Sequence, residues 1–271
     1  MFTNNINPVL LNIGPFSIRY YGLFIAIGFL GSYFMLKYLL EKDKTNPLTK
    51  DDVDDFYVYI ILGVIIGARF FYSLIYNFQY YVSNPIQIFV IWRGGLSFHG
   101  GLIGCMLALL IYVYRYNLKH KKKINLYNIT DVCTIPLALS IGLGRIGNFT
   151  NHELYGRVTD VPWAVKFRNI PGFRHPSQLY ESIYGFFGIF PLQLWLWTKN
   201  LPLGFLTWSF FIFYGFFRFI TEFFRQPDIQ MGTGGFFFGW MSMGQILSVL
   251  TVIVGLVMIF IIYSKESKKY E

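Results

Sequence analysis

Charge is scarce in this chain. Only 14% of its 271 residues are Asp, Glu, Lys or Arg, against about 25% in soluble domains. A soluble fold of this size needs more polar surface, so that class is excluded. Cysteine is nearly absent. Cys105 and Cys133 are the only two, each inside an apolar stretch, where they read as packing residues. They indicate neither a disulfide framework nor a metal site. Internal repeats and low-complexity segments are also missing. The first 15 residues lack a basic cluster, and no small-residue cleavage site follows the first apolar stretch. The expectation is a retained span and no cleaved signal peptide.

Apolar residues are abundant, at 54% with a mean hydropathy of +0.45. A helix crosses a bilayer with about 20 apolar residues. Seven stretches qualify, at 18–40, 56–76, 98–116, 126–146, 179–197, 204–224 and 237–263. The fourth is the weakest, because it holds Asp131 and Pro136. The expected fold class is an all-α integral membrane protein of about seven transmembrane helices, with residues 1–271 forming one domain. The net charge of +9 does not point to nucleic acid. It is spread through short loops between apolar spans, with no basic domain to hold a duplex.

Lysine gives the orientation. With the N-terminus outside, Lys37, Lys42, Lys44, Lys50, Lys119, Lys121, Lys122, Lys123, Lys199, Lys265, Lys268 and Lys269 all fall inside, and only Lys166 falls outside. The positive-inside rule therefore predicts an outer N-terminus and a cytoplasmic C-terminus. Arginine departs from that pattern, since only Arg115 sits at an inner end. Arg69, Arg145 and Arg218 lie within or at the ends of spans, where an unpaired guanidinium is costly and where its planar fork suits phosphate or carboxylate. The longest outer loop, 148–178, is rich in Gly and Pro and predicts a small folded outer cap with turns or a short hairpin.

Four segments carry candidate chemistry. Tyr214, Arg218 and Glu222 are spaced four apart, which places them on one helical stripe. At about 1.5 Å per residue from Gly204, Arg218 lies roughly 21 Å into the span, in its outer half. His99 stands in SFHGGLIG at the outer start of the third span, among Gly94, Gly95, Gly100, Gly101 and Gly104. Those glycines leave room for a helix or a substrate backbone, and histidine is a usable base near neutral pH. The densest cluster is GRIGNFTNHELYGR, with Arg145, Asn148, Asn151, Glu153 and Arg157 in quick succession. In HPSQLYE, Ser177 suits a helix N-cap, and Glu181 in the first turn fits the helix dipole. Tyr21 begins the first span at the same outer level. Together these residues predict one polar cavity opening toward the outer half of the bilayer.

GRIGNFTNHELYG resembles the signature of the prolipoprotein diacylglyceryl transferases. SFHGGLIG, HPSQLYE and YGFFRFITEFFRQPD are similar to that family's other segments, in the same order, from Tyr21 to the last span. His152 stands where the family's pattern has a smaller residue such as glycine. The resemblance implies transfer of a diacylglyceryl group from phosphatidylglycerol to the lipobox cysteine of a prolipoprotein, with release of glycerol phosphate. It implies a bacterial cytoplasmic (inner) membrane location, prolipoprotein signal peptides and the lipid bilayer as partners, and no cofactor or metal.

The residues carried over are Tyr21, His99, Arg145, Asn148, Asn151, Glu153, Gly156, Arg218 and Glu222, with Tyr214 added from its stripe. His99 is the expected base and Arg145 and Arg218 the anion stabilisers. Glu153 and Glu222 are expected to orient the arginines, and Tyr21, Asn148 and Asn151 to hold the headgroup. An anion or lipid transporter is the competing class, because intramembrane arginines also mark transport paths. The missing internal repeat and the absence of a polar track to the inner side weigh against it.

Overall fold

The computed structural model describes residues 1–14, 16–226, 236–237 and 240–267. Lys268 and Lys269 of the tail, and Pro227 and Asp228 of the last motif, lie outside the described residues. The chain is mostly helical. In order the helices are α1 (Tyr20–Lys42), α2 (Asp52–Ile75), α3 (Phe78–Ser83), α4 (Phe98–Lys119), α5 (Leu126–Thr150), α6 (Ser177–Ile183), α7 (Phe190–Trp197), α8 (Phe205–Glu222) and α9 (Met243–Ser267).

Five of these, α1, α2, α4, α5 and α9, are long and apolar enough to cross a membrane. The other two expected spans are helical but differ in kind. Residues 177–197 run as α6, a π turn at Tyr184–Ile189 and then α7. The wide turn ends two residues before Pro191, which has no N–H to continue the i→i−4 ladder. Helix α8 is 18 residues long and carries Arg218 and Glu222, which lower its apolar character.

The chain packs as two compact units, one of Met1–Met35 with Thr130–Glu271 and one of Leu36–Ile129. In the second unit α2 and α4 touch backbone to backbone. A Cβ on Gly63 would stand 2.6 Å from both the Ala108 Cβ and the Gly104 carbonyl oxygen, and one on Gly67 would stand 2.7 Å from the Gly104 Cα. In lipid, helices gain little from hydrophobic burial against each other, so this close van der Waals fit is what joins them. Gly100 and Gly104 thus seat α2, beyond the room they leave near His99.

The same unit buries Arg69. Its Nε donates to the Ile88 carbonyl, one terminal nitrogen to Gly94 and Gly95, and the other to Gln87 and Val90. The guanidinium also lies 5.0 Å over the Tyr81 ring. Gly94 and Gly95 adopt φ of 84° and 75°, a left-handed backbone that turns successive carbonyls toward one cation.

In the first unit α5 meets α1 and α8. Ser140 bonds Ser32 at 2.8 Å and the Gly28 carbonyl at 3.1 Å. Asp131, the residue that weakens the fourth stretch, accepts from Gly204 N at 2.6 Å, from Thr207 N at 2.9 Å and from the Thr207 hydroxyl. A carboxylate on α5 therefore caps the N-terminus of α8, where free N–H groups and the helix dipole favour an anion. Helices α8 and α9 meet at Gly215, where a Cβ would lie 2.9 Å from the Ser248 carbonyl oxygen.

The segment between α5 and α6 is folded. Its strand β4 (Val165–Phe167) pairs in parallel with β1 (Phe2–Asn4), a partner the sequence pattern did not reveal. Phe149, Val165 and Phe167 form a small core with Ile6, Tyr155, Ile170 and Leu179. Two further strands, β2 (Val9–Ile13) and β3 (Phe16–Arg19), form an antiparallel hairpin leading into α1. A short pair, β5 (Phe236–Phe237) and β6 (Met241–Ser242), precedes α9.

Candidate active site

Three helices of the first unit bring four charged side chains together. Arg218 and Glu222, one turn apart on α8, pair at 2.8 Å. Glu181 on α6 reaches the same guanidinium at 2.7 Å through Oε1. Its Oε2 lies 2.7 Å from Arg145 Nε on α5. Glu181 thus joins two arginines that stand 73 positions apart (218 − 145) in the chain. At 1% exposure it is almost wholly buried. Arg225 also approaches Glu222, at 3.9 Å, so three guanidiniums meet two carboxylates, and this mutual pairing lets the charges persist in an apolar surround.

Packing holds the acids in place. The Ser182 hydroxyl donates to the Gly142 carbonyl at 2.8 Å, tying α6 to α5. The Gln178 amide donates to the Glu153 carbonyl, and the Ser177 hydroxyl to Leu154 at 3.0 Å. Ser177 is thus used to anchor the preceding loop, and no side-chain cap bond is made at the start of α6. On the far side, Ser242 donates to Glu222 at 3.1 Å. A Cβ on Gly244 would lie 2.6 Å from the Glu222 carboxyl carbon, so the start of α9 rests against this acid.

The guanidinium groups are not fully used by protein. Arg145 has its Nε at Glu181 and one long bond, 3.4 Å, to the Asn148 side-chain oxygen. Its second terminal nitrogen meets no acceptor among the described residues. Glu181 Oε2 and Glu222 Oε2 lie near guanidinium nitrogens but out of hydrogen-bond alignment. Such a lattice can rearrange its N–H groups around an added anion.

The other expected residues fall as follows. Tyr21 packs on α5 where Gly147 permits it, since a Cβ there would stand 2.9 Å from its ring; Arg145 and Glu153 are its charged neighbours. Asn148 is buried. Asn151 donates weakly to Glu153 at 3.5 Å. Glu153 is exposed and makes no ion pair with the arginines; the orienting acid expected there is Glu181 in the structure. Tyr214 lies one turn before Arg218 and neighbours both arginines electrostatically.

Gly156 threads between two carbonyls, with a Cβ there meeting His175 O and Phe224 O at 2.5 Å each, and its N–H donates to His175 O. His152 has φ of 57°, which explains why a glycine is the easier residue at that place. Its Nε2 compensates with a 2.9 Å bond to the Ile6 carbonyl. His175, in the loop before α6, has its pKa held below the usual histidine value by burial. His99 belongs to the other unit. It stands two residues after Ser97, whose hydroxyl caps α4 by accepting from Gly100 N, and its ring is exposed.

From sequence, Glu181 belongs to the expected polar cavity but has only a local, helix-dipole explanation, and Tyr184 is not among the expected site residues. The signal for Glu181 was present in HPSQLYE. Its partners are far off in sequence, and spacing alone did not supply them.

Comparison with known proteins decides the family. The prolipoprotein diacylglyceryl transferase profile matches residues 8–261. The chain belongs to the prolipoprotein diacylglyceryl transferase family. Among relatives named phosphatidylglycerol–prolipoprotein diacylglyceryl transferase, that of Geobacter sulfurreducens is 42% identical, covering 97% of this chain and 97% of its own. The Aeromonas hydrophila protein is 41% identical over 97% of this chain and 92% of its own. That of Aliivibrio salmonicida is 44% identical over 94% of this chain and 87% of its own. The whole charged lattice, Tyr21 and His99 fall within the span that matches the diacylglyceryl transferase family.

Proposed function

We propose that this protein transfers the diacylglyceryl group of phosphatidylglycerol to a prolipoprotein, the first step of lipoprotein maturation. The acceptor is the thiol of a lipobox cysteine. Family membership and the names of its relatives support the reaction. The Arg145–Glu181–Arg218–Glu222 lattice is the observation that carries the site.

The chemistry follows from these residues. A free thiol, with a pKa near 8.5, must lose its proton to become a strong nucleophile. The thiolate attacks the glycerol carbon that bears the phosphate. A C–S bond forms, the C–O bond breaks, and the electron pair leaves with glycerol phosphate. The leaving group gains negative charge as it departs. Arg145 and Arg218 stabilise that charge with N–H groups already aimed in an apolar surround. Glu181 and Glu222 keep the two guanidiniums apart and oriented. Tyr21, Asn148, Asn151 and Tyr214 hold the headgroup, while Gly156 and Glu153 shape the adjoining loop. His99 is the proposed base for the thiol proton.

The lysine distribution supports an odd number of spans with the N-terminus outside and the C-terminus in the cytoplasm, and the apolar stretches of the sequence support seven. In this reading residues 148–178 form a cap on the outer face of the bacterial cytoplasmic membrane, and the whole chain acts as one catalytic domain. Phosphatidylglycerol then enters from the outer leaflet.

The test is lipidation of a lipobox peptide by purified protein with phosphatidylglycerol, read as a gel shift. Cysteine peptide is modified and its serine counterpart is not. Arg145→Ala lowers turnover by about 10²–10³, the usual loss for a deleted transition-state donor. Failure of the folded wild type to lipidate the cysteine peptide refutes the transferase reading. Near-full turnover by His99→Gln removes that residue as base.

A further inference from the structure

Tyr184 is the first residue of the π turn that follows Glu181 by three positions. Residues three apart on a helix share a face, so the phenol and the carboxylate project the same way. Widened turns of this kind often mark functional sites. The ring is fixed on two sides. It stacks on Phe217 at 5.3 Å with planes 12° apart, and meets Tyr214 edge-on at 6.5 Å. Ala138, Ile189 and Phe210 complete the packing.

The residue is 7% exposed, and its hydroxyl is buried with no hydrogen-bond partner among the described residues. Buried hydroxyls are almost always paired, because leaving one unmade forfeits its contact with water. A phenylalanine would fill the same ring space without that cost. The charged and phenolic neighbours of the hydroxyl are Glu181, Tyr214, Arg218 and Arg145, the groups of the anion lattice. An acyl chain arriving here would leave the hydroxyl unpaired, whereas a phosphate oxygen between the arginines would accept from it.

We propose that the Tyr184 hydroxyl donates a hydrogen bond to the phosphate of the phosphatidylglycerol held by Arg145 and Arg218, making it a further substrate-contacting residue of this site. The inference rests on the transferase reading above. Tyr184 keeps its proton throughout. Its bond strengthens as the departing phosphate gains charge, so it favours the transition state over bound lipid.

The experiment compares the wild type with Tyr184→Phe in full-length protein, using phosphatidylglycerol and a lipobox cysteine peptide. The expected result is a fall of about ten- to hundredfold in kcat/KM for phosphatidylglycerol, the range for a hydrogen bond to a charged group. The apparent KM for the peptide stays within twofold. Product inhibition by glycerol phosphate weakens by a similar factor to the loss in rate. Phe217→Leu, which loosens the ring but keeps the hydroxyl, lowers the melting temperature more than it lowers kcat/KM.

Kinetics and inhibition within twofold of wild type in Tyr184→Phe overturn the proposal, whatever its melting temperature. Such a variant that also melts lower assigns the hydroxyl to a structural water. An inactive but folded wild type overturns the transferase reading and this proposal together. An active wild type with an unaffected Tyr184→Phe overturns the proposal alone.

Discussion

Arg69 and Arg145 each lie on a helix apolar enough to span a bilayer, yet their surroundings differ. All the N–H groups of Arg69 point at five backbone carbonyls of the turn from Gln87 to Gly95. Arg145 faces one carboxylate and one distant amide oxygen, and part of its fork meets no acceptor among the described residues. A guanidinium surrounded by carbonyls is a structural centre, since nothing further can bind without displacing the backbone. One held at an edge by a carboxylate can add a phosphate. A buried arginine in a membrane protein is therefore a poor indicator of function by itself. The number of its donors that the protein leaves available separates the two kinds.

The strongest way to break this comparison is Arg69→Met. It leaves five carbonyls without their cation and lets the Gly94–Gly95 turn relax. The expected loss is about 3–5 kcal/mol of stability, the range for removing one partner of a buried charged network. It is read as a large drop in melting temperature in detergent, with activity falling in proportion to folded protein. A melting temperature near wild type together with abolished turnover would place Arg69 among the functional arginines.

Glu181→Gln sharpens the other half of the comparison. The change keeps shape and removes the charge that separates and orients Arg145 and Arg218. Turnover is expected to fall about 10- to 100-fold, as for outer-shell partners that position a charged centre. Folded protein should remain, because the amide oxygen still faces one guanidinium. Unchanged turnover with a lowered melting temperature would make the lattice a helix clamp and count against its catalytic role.

These residues also show where sequence reasoning reaches its limit. The Arg218–Glu222 pair was legible because the two lie four apart on one helix, and the apolar stretches were legible because bilayer thickness sets their length. Glu181 is legible as a member of the outer polar cavity, but its only sequence-level explanation is its local place in a first turn. Its true partners lie 36 positions before it and 37 after it, a distance no helical period encodes. The glycines near His99 announced a close approach, and the approaching element is α2. The pairing of residues 2–4 with 165–167 was invisible for the same reason: spacing and small residues report that something comes near, and tertiary packing decides what. His152 is the converse case: the resemblance implies a smaller residue there, and the left-handed backbone of the structure supplies the reason.

The smallest expected effect belongs to Asp131, a buried acid that resembles Arg69 in being complete. It accepts from two backbone N–H groups and a hydroxyl at the start of α8, and no cation is needed because the helix terminus supplies the positive end. Asp131→Asn keeps one acceptor oxygen but turns an NH2 toward a backbone donor and loses the charge at the dipole. The expected loss is about 1–2 kcal/mol, the sum of a weakened cap and a lost dipole contact. It should appear as a modest drop in melting temperature with kcat and KM unchanged, since α8 keeps its place and the lattice at its far end is untouched. A fall in turnover without a fall in stability would mean that the cap sets the position of Arg218 along α8, and would tie the closed acid to the open site.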